Sequence, residues 1–567
     1  MAIRLKKTDV VIVGLGAAGG IAALPLARAG LDVIGLEAGP WLNVRDFPSD
    51  EIRNDIRAWM SRNKFNKELP THRLNASQTA GPPAIAIPMV NAVGGSSIHY
   101  GMESWRLTPF NFKTRSRTVQ RYGAGALPPN STVADWPISY AELEPYYDKV
   151  EYEIGVSGRA GNIRGKLDPR GNVLEGPRAR AYPNPPLRRT GWTELMADTA
   201  RRLGWKPYPG PASILSRTYR GQPACEYCGH CTFNGCHVNA KGSTFLNAIP
   251  HARKTKKLTV VTLARVTQVV VDRNGRATGV RYVRGSQEYF QPASVVMLGA
   301  YLYENVRLML LSKSAAYPNG LSNNHGQVGK NYISHMYGGV DGVFPGRKLN
   351  RFGGPGAQRT SSDMWTDDQF DHTGLGFVGG GILDARMEAK PIGTGRTAPP
   401  NGPRWGAEWK EWLHKNANSI GGVGVQMESL PYEDNFLDLD PVAKDQYGQP
   451  VLRVTFDLHD QEKKRYEFLQ EKSEQWVQEA GAAETWTTFP AFPIAVNSHA
   501  YGGARMGNDP ETSVVDKWGM SHEVPNLAIL GGAVFPTSGN KNPTQTIQAL
   551  AWRTAKHVAK RFTSIVE

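Results

Sequence analysis

The chain has 567 residues, of which 40% are hydrophobic, and this composition excludes an intrinsically disordered protein. Lys and Arg outnumber Asp and Glu by 66 to 51, a net charge of +15, but the basic residues are scattered along the sequence. A scattered positive charge without interleaved aromatic residues argues against a nucleic-acid-binding protein. The totals therefore predict a globular protein with two or three packed domains.

The first predicted element is a strand, tight turn and helix, followed by a second strand that ends near Glu37. Gly14, Gly16 and Gly19 form the pattern GxGxxG at this turn. Glycine permits the turn and the close approach of a pyrophosphate, and the helix N-terminus stabilises the phosphate charge. A carboxylate after the second strand is placed to accept hydrogen bonds from ribose hydroxyls. The segment therefore predicts a Rossmann-like dinucleotide-binding site.

No cleavable signal, twin-arginine pair or membrane span is recognisable in the sequence. We therefore expect export or membrane contact to depend on a partner protein.

A small loop rich in hydrogen-bond donors follows at the sequence NAVGGSSIHYG, and it contains Gly94, Gly95, Ser96 and Ser97. Backbone and hydroxyl donors in such a loop can lie against the phosphates or the ring of a cofactor. An ordinary Gly-Ser turn is the alternative.

All four cysteines of the chain lie within twelve residues, in the pattern CxxCxxCx4C; they are Cys225, Cys228, Cys231 and Cys236. Disulfides at three-residue spacing are strained, so this pattern favours metal binding. The spacing is similar to ferredoxin-type ligation and indicates an iron–sulfur cluster. A structural zinc ion held by four thiolates is the alternative.

The remaining pattern predicts three regions. Residues 1–338 form a nucleotide-binding domain with inserted loops, including the cysteine segment at about 220–245 and a helix that starts after Ser139 in a capping box. Residues 339–491 are mainly a substrate domain, with alternating strands and a long amphipathic helix. Residues 492–567 return to the first domain.

The last region places a histidine, His499, and an asparagine, Asn542, on either side of a short strand and a Gly-rich turn that opens a helix. A neutral histidine can accept the proton of an alcohol, and an amide can hold the same oxygen. The pair therefore indicates chemistry on an alcohol, provided that the fold brings the two residues together.

Together, GLGAAGG with Glu37, AVGGSSIHYG and NSHAYGGARMG…NPTQTIQALA resemble the glucose–methanol–choline (GMC) oxidoreductase family over essentially the whole chain. CEYCGHCTFNGCHVNAKGS and VEYEIGVSG further resemble the flavoprotein subunits of the gluconate 2-dehydrogenase group of bacterial sugar dehydrogenases. The resemblance implies an α/β fold, and the chain as a whole is then described as α+β. In it, a Rossmann-like FAD-binding domain is interleaved with a substrate domain built on an antiparallel sheet backed by helices.

The resemblance also implies site roles. His499 is then the catalytic base and Asn542 its partner, and activity is expected to fall in acid as His499 becomes protonated. His99 lies where some members attach FAD covalently, which leaves the linkage open here. Further cofactor-binding positions implied by the family are Val266, Gly532, Ala533 and Thr544.

We accordingly expect an FAD-dependent dehydrogenase that oxidises a hydroxyl group of a sugar, glycoside or sugar acid. Relatives imply that electrons pass through an iron–sulfur cluster, 3Fe–4S rather than 4Fe–4S, to a cytochrome c subunit or a quinone. They also imply a small subunit with an export signal and a periplasmic location at the membrane; the cytoplasm is the alternative. An oxidase that uses O2, with zinc on the cysteines, and a non-redox flavoprotein lyase are the competing functions.

Overall fold

The computed structural model describes residues 2–61, 68–488 and 491–567. Two large sheets, packed with helices, enclose a cavity between them. Among the described residues, no helix combines the length and the apolar character that crossing a bilayer requires. The helices span Ala17–Arg28, Thr114–Tyr122, Tyr140–Ile154, Gly191–Arg202, Ala248–Lys254, Leu302–Leu311, Pro391–Thr394, Gly406–Asn416, Asp460–Glu479 and Thr544–Val566.

The first large sheet, here called the nucleotide sheet, has a parallel centre and an antiparallel edge. Its longest strand, Gln287–Leu298, pairs antiparallel with its neighbour in its first half and parallel with Thr8–Val13 in its second half. The C-terminal strand Leu527–Ile529 pairs with the same long strand, so the chain returns to this sheet near its end. The strands span Ile3–Arg4, Thr8–Val13, Val33–Leu36, Leu258–Val261, Arg265–Val271, Ala277–Arg284, Gln287–Leu298 and Leu527–Ile529.

The second large sheet, here called the cavity sheet, is antiparallel throughout. The helix Asp460–Glu479 packs against it, as the amphipathic pattern predicts. One edge strand, Pro207–Pro209, comes from the part of the chain before the predicted substrate domain. The strands span Pro207–Pro209, Met336–Val343, Thr360–Ser362, Gly381–Ala385, Ile420–Met427 and Glu484–Thr487.

The remaining strands form three small sheets. The hairpin Phe436–Lys444 and Pro450–Thr455 joins Thr71–Arg73 in a sheet of its own. The other strands pair as Ile333–Ser334 with Ala500–Tyr501 and as Asn162–Ile163 with Lys166–Leu167. This arrangement has the predicted α/β character, whereas the predicted boundaries at residues 338 and 491 stay predictions.

The helix Tyr140–Ile154 begins where its sequence predicts. The side chain of Ser139 accepts a hydrogen bond from the backbone N–H of Glu142, and the carboxylate of Glu142 accepts one from the backbone N–H of Ser139. These reciprocal bonds satisfy two of the N–H groups that a helix start leaves free. The helix Ala17–Arg28 contains Pro25 and ends three residues after it.

Candidate active site

A cavity of about 590 Å³ lies between the nucleotide sheet and the cavity sheet. This volume is within the range of small-molecule and cofactor sites. Gly14 and Glu37, each directly after a strand of the nucleotide sheet, line the wall on one side, and the cavity sheet contributes Tyr337 and Gln426. Both His499 and Asn542 also line the cavity, so the fold brings the two predicted catalytic residues to one site.

The three glycines of the GxGxxG turn have different structural roles. Gly14 has a positive φ of +83°, and a Cβ there would lie 2.6 Å from Cα of Ala300. Gly16 lines the cavity, where a Cβ would meet only Cα of Gly95, at 3.8 Å. Gly19 does not line the cavity, and its Cβ would lie 2.0 Å from the carbonyl oxygen of Gly14. Gly16 is therefore the position open to a ligand, whereas Gly19 allows close packing of the helix on the strand.

Glu37 follows the strand Val33–Leu36 and lines the cavity. Its Oε2 accepts a hydrogen bond from the backbone N–H of Leu15, and its Oε1 accepts one from the backbone N–H of Gly39, both at 2.9 Å. The carboxylate therefore braces the turn that carries Gly14 and Gly16. Its contact with a ribose stays a prediction.

In the Gly-Ser loop, residues 95, 96 and 97 line the cavity, whereas Gly94 does not. Gly94 has a φ of +97°, and a Cβ there would lie 2.6 Å from Cβ of Phe245. The hydroxyl of Ser97 donates to the carbonyl of Gly94 at 2.6 Å, and the hydroxyl of Ser96 accepts from the backbone N–H of Val90 at 3.2 Å. These bonds hold the loop against the cavity.

His99 is 4% exposed and lines the cavity. Neither ring nitrogen has a hydrogen-bond partner in the described part of the chain. Burial lowers the pKa of His99 to about 3, so the ring is neutral. A neutral imidazole with two unpaired nitrogens fits a cofactor placed against it. Covalent attachment stays a prediction.

His499 stands at the cavity wall directly before the short strand Ala500–Tyr501. Burial lowers the pKa of His499 to about 3, which keeps the imidazole neutral and able to accept a proton. Its Nδ1 has no partner in the described part of the chain. The ring centre lies 5.7 Å from that of Tyr337 and 5.4 Å from that of His335.

Asn497 holds this histidine in place, and the sequence did not reveal that role. Its Oδ1 accepts from the backbone N–H of His499 at 3.0 Å and from the hydroxyl of Tyr337 at 3.2 Å. Its Nδ2 donates to the hydroxyl of Ser334 at 3.1 Å and to the carbonyl of His335 at 3.0 Å. The spacing Asn-x-His, which lets an amide reach a backbone two residues later, is the signal that points to it.

The further cofactor-binding positions implied by the family divide into two groups. Val266, Gly532 and Thr544 line the cavity, whereas Ala533 is fully buried and does not line it. Thr544 begins the helix Thr544–Val566, so the positive end of this helix is at the cavity. A helix start there stabilises negative charge on a bound group.

The four cysteines are free thiols. Burial raises the pKa of Cys225 to about 11, and its sulfur accepts a hydrogen bond from the backbone N–H of Tyr227 at 3.3 Å. The segment reaches the cavity through Thr232 and Phe233, and the Phe233 ring lies 6.0 Å from the His99 ring. The cysteine segment therefore borders the same cavity as the predicted catalytic pair.

Across the described residues, no group of three or more Cys, His, Asp or Glu side chains is arranged to hold one metal ion. The iron–sulfur cluster and the alternative structural zinc ion therefore both stay predictions. Thiols at these spacings influence one another: Cys228 contributes to the raised pKa of both Cys225 and Cys231.

Comparisons with known proteins identify the family of the chain. Residues 128–337 and 431–551 match the N-terminal and C-terminal family models described as GMC oxidoreductase. The chain is 34% identical to the gluconate 2-dehydrogenase flavoprotein of Pantoea cypripedii, over 99% of this chain and 95% of that protein. It is 28% identical to the fructose dehydrogenase large subunit of Gluconobacter japonicus, over 98% of each chain.

Among solved structures, pyridoxine 4-oxidase from Mesorbium loti superposes with a TM-score of 0.63 at 16% identity, over 97% of this chain and 99% of that one. At this identity the likeness shows the fold alone. The family models and the two dehydrogenase relatives identify an FAD-dependent oxidoreductase that acts on CH–OH groups. The chain belongs to the GMC oxidoreductase family, which confirms the predicted fold class and the predicted family.

Proposed function

We propose that this protein is the flavoprotein subunit of a dehydrogenase that oxidises a hydroxyl group of a sugar, glycoside or sugar acid. The observation that carries the proposal is a neutral histidine, His499, in the same cavity as Asn542 and next to a wall of polar side chains. The 34% identity to a gluconate 2-dehydrogenase flavoprotein supports the substrate class.

The proposed mechanism assigns one task to each residue. His499 accepts the proton of the substrate hydroxyl, and Asn542 donates a hydrogen bond to the same oxygen. The Gly14–Gly16 turn and the Gly-Ser loop would hold FAD, which would supply the acceptor for the hydride from the carbon that carries this hydroxyl. Because the pKa of His499 is about 3, the base stays neutral down to acid pH. Asn497 holds the backbone of His499 at the cavity wall.

The polar wall suits a substrate with several hydroxyl groups. Glu103 and Asp384 line the cavity and offer carboxylate oxygens as acceptors for hydroxyl groups. Arg359 bridges them, at 2.5 Å from Oε1 of Glu103 and 3.3 Å from Oδ2 of Asp384. This ion-pair network holds the acceptors in fixed positions.

We further propose that the cysteine segment binds an iron–sulfur cluster, with 3Fe–4S favoured over 4Fe–4S, through which electrons leave the flavin. The supporting observations are the free thiols, the N–H···S bond to Cys225 and the closeness of the segment to the cavity. Iron and sulfide analysis with low-temperature electron paramagnetic resonance tests this point. Zinc without iron would refute the relay and favour the oxidase.

The acceptor and the location are part of the same proposal. A relative is named as a large subunit, which supports a partner subunit for this chain. We propose a small subunit with an export signal, a cytochrome c or quinone acceptor, and a periplasmic position at the membrane. Co-purification of the untagged products of neighbouring genes tests the partner, and cell fractionation tests the location. Recovery of this protein in the cytoplasmic fraction without a partner would contradict both proposals.

The deciding experiment is an anaerobic screen of flavin reduction with glucose, glucosides, gluconate, 2-ketogluconate, fructose and sorbitol. Bleaching of the flavin by one of these compounds supports the dehydrogenase and excludes a non-redox lyase. Turnover with a dye acceptor is then compared with turnover with oxygen. Faster turnover with oxygen, with hydrogen peroxide as product, would establish the oxidase instead. Acid precipitation shows whether the flavin stays bound to the protein, as covalent linkage requires.

A further inference from the structure

Arg386 follows the strand Gly381–Ala385 and lines the cavity. Its side chain lies across the neighbouring strand at Gly424, where a Cβ would lie 2.9 Å from Cδ of Arg386. A larger residue at position 424 would push the Arg386 side chain aside, so glycine there leaves room for Arg386 to reach the strand Met336–Val343. There, Nη2 donates to Oδ1 of Asp341 at 2.5 Å.

The hydrogen bonds of Arg386 leave part of its guanidinium unused. Nη2 makes the contact with Asp341 and a long one of 3.5 Å to the hydroxyl of Thr488. Nε is buried and has no partner in the described part of the chain. A buried N–H without an acceptor is destabilising. Nε itself is inaccessible, but the side chain as a whole is 22% exposed and lines the cavity, so a ligand can contact its exposed part.

Arg359, on the same wall, differs in this respect. Its Nε donates to the carbonyl of Gly356 at 2.6 Å, and its two Nη groups contact Glu103 and Asp384. Each nitrogen of Arg359 therefore has an acceptor within the protein. Of these two arginines, Arg386 is the one with an N–H group that lacks an acceptor in the described part of the chain.

The charged groups in this region are paired. Arg359 pairs with Glu103 and Asp384, and Arg386 pairs with Asp341. Burial raises the pKa of Asp384, and the neighbouring Arg359 opposes that rise. An arginine is the side chain best matched to a carboxylate.

We propose that Arg386 determines specificity by binding the carboxylate of the substrate, so that the substrate is a polyhydroxy acid rather than a neutral sugar. This assignment rests on the proposed function and narrows its substrate class. The substrate carboxylate accepts hydrogen bonds from the unused N–H groups of Arg386. Glu103 and Asp384 accept hydrogen bonds from hydroxyl groups of the same molecule.

The test compares gluconate with sorbitol, two polyols that differ at one end by a carboxylate in place of a CH2OH group. We expect the wild-type holoenzyme to prefer gluconate. Arg386→Gln is expected to raise KM for gluconate about 30-fold or more with little change in kcat, and to affect turnover of sorbitol much less. Arg386→Lys keeps the charge and is expected to recover part of the loss. Equal losses on both substrates, or a wild-type enzyme that prefers sorbitol, would overturn the assignment.

Binding without turnover separates this proposal from the proposed function. Calorimetric titration of gluconate into the His499→Ala holoenzyme and into the His499→Ala, Arg386→Gln holoenzyme measures affinity alone. We expect about 30-fold weaker binding in the double variant. Unchanged affinity, or no binding to either protein, refutes the role of Arg386. Failure of every sugar and sugar acid to reduce the wild-type flavin refutes the dehydrogenase itself, whatever the titration shows.

Discussion

Oδ1 of Asn497 accepts a hydrogen bond from the backbone N–H of His499 at 3.0 Å, and Nδ2 of Asn497 donates one to the carbonyl of His335, also at 3.0 Å. His335 in turn donates its backbone N–H to the carbonyl of His499 at 3.1 Å. The histidine that faces the cavity is thus tied on both sides of its backbone. Its position is set by neighbours that do not themselves need to touch substrate.

Replacement of His499 by alanine is expected to lower the rate of flavin reduction by about 100- to 10,000-fold, the usual contribution of a general base. The cavity loses only an imidazole, so the flavin is expected to stay bound. Stopped-flow absorbance under anaerobic conditions measures the rate, and the absorbance spectrum measures the flavin content. His414→Ala, on an exposed face of the helix Gly406–Asn416, is the control. Near-normal reduction in the His499 variant would show that another residue is the base.

Asn497→Ala is expected to lower kcat by about 10- to 100-fold with little change in KM, as is typical when a partner that orients a reactive group is lost. Tyr337→Phe removes one of the hydrogen bonds to Asn497 and is expected to have a smaller effect. Steady-state kinetics with a dye acceptor measures both. A large rise in KM with unchanged kcat in Asn497→Ala would instead indicate direct binding of substrate.

Gly16 and Gly19 are expected to respond differently to alanine. In Gly16→Ala the new methyl group enters the cavity, so the protein is expected to fold and to bind FAD more weakly. In Gly19→Ala the methyl group would overlap the carbonyl of Gly14, so thermal stability is expected to fall even without FAD. Melting of the flavin-free proteins and FAD titration distinguish the two. Equal melting temperatures of the two flavin-free variants would contradict the assignment.

Acid is expected to destabilise the fold through buried neutral histidines. The pKa values of His99 and His499 are lowered to about 3, and that of His335 is lowered well below its ordinary value, in each case chiefly by burial. The unfolded chain takes up these protons below about pH 6.5 and the folded chain does not, so stability present above pH 6.5 is lost as pH falls towards 3. Below about pH 5.5, each of these histidines lowers the free energy of unfolding by about 1.4 kcal/mol for each unit by which the pH falls.

Calorimetric melting of the holoenzyme between pH 7 and pH 5 measures this loss. His335→Gln removes one of the three groups and is expected to flatten the dependence of melting temperature on pH, even if the variant is less stable at pH 7. An unchanged slope would show that the ring of His335 takes up no proton on unfolding.

Local sequence determined the features that depend on neighbouring residues. The turn with Gly14 and Gly16, the capped start of the helix after Ser139 and the gathering of all cysteines each follow from residues within one short segment. Such features are set by backbone geometry and by hydrogen bonds between near neighbours. His499 and Asn542 stood out as a histidine and an amide on either side of a Gly-rich turn, and the family resemblance then gave them their predicted roles.

The tertiary structure decided which distant residues share the cavity. Glu103, Arg359 and Arg386 carry no motif. Strand pairing in the cavity sheet brings Arg359 and Arg386 to one wall, and Glu103 contacts Arg359 from outside that sheet. The depressed pKa of His499 likewise requires burial by elements far away in sequence. The sequence by itself determined the cofactor turn and the family of the enzyme. The unpaired Nε of Arg386 could not be predicted from the sequence, because it depends on which acceptors the folded chain places near the guanidinium group.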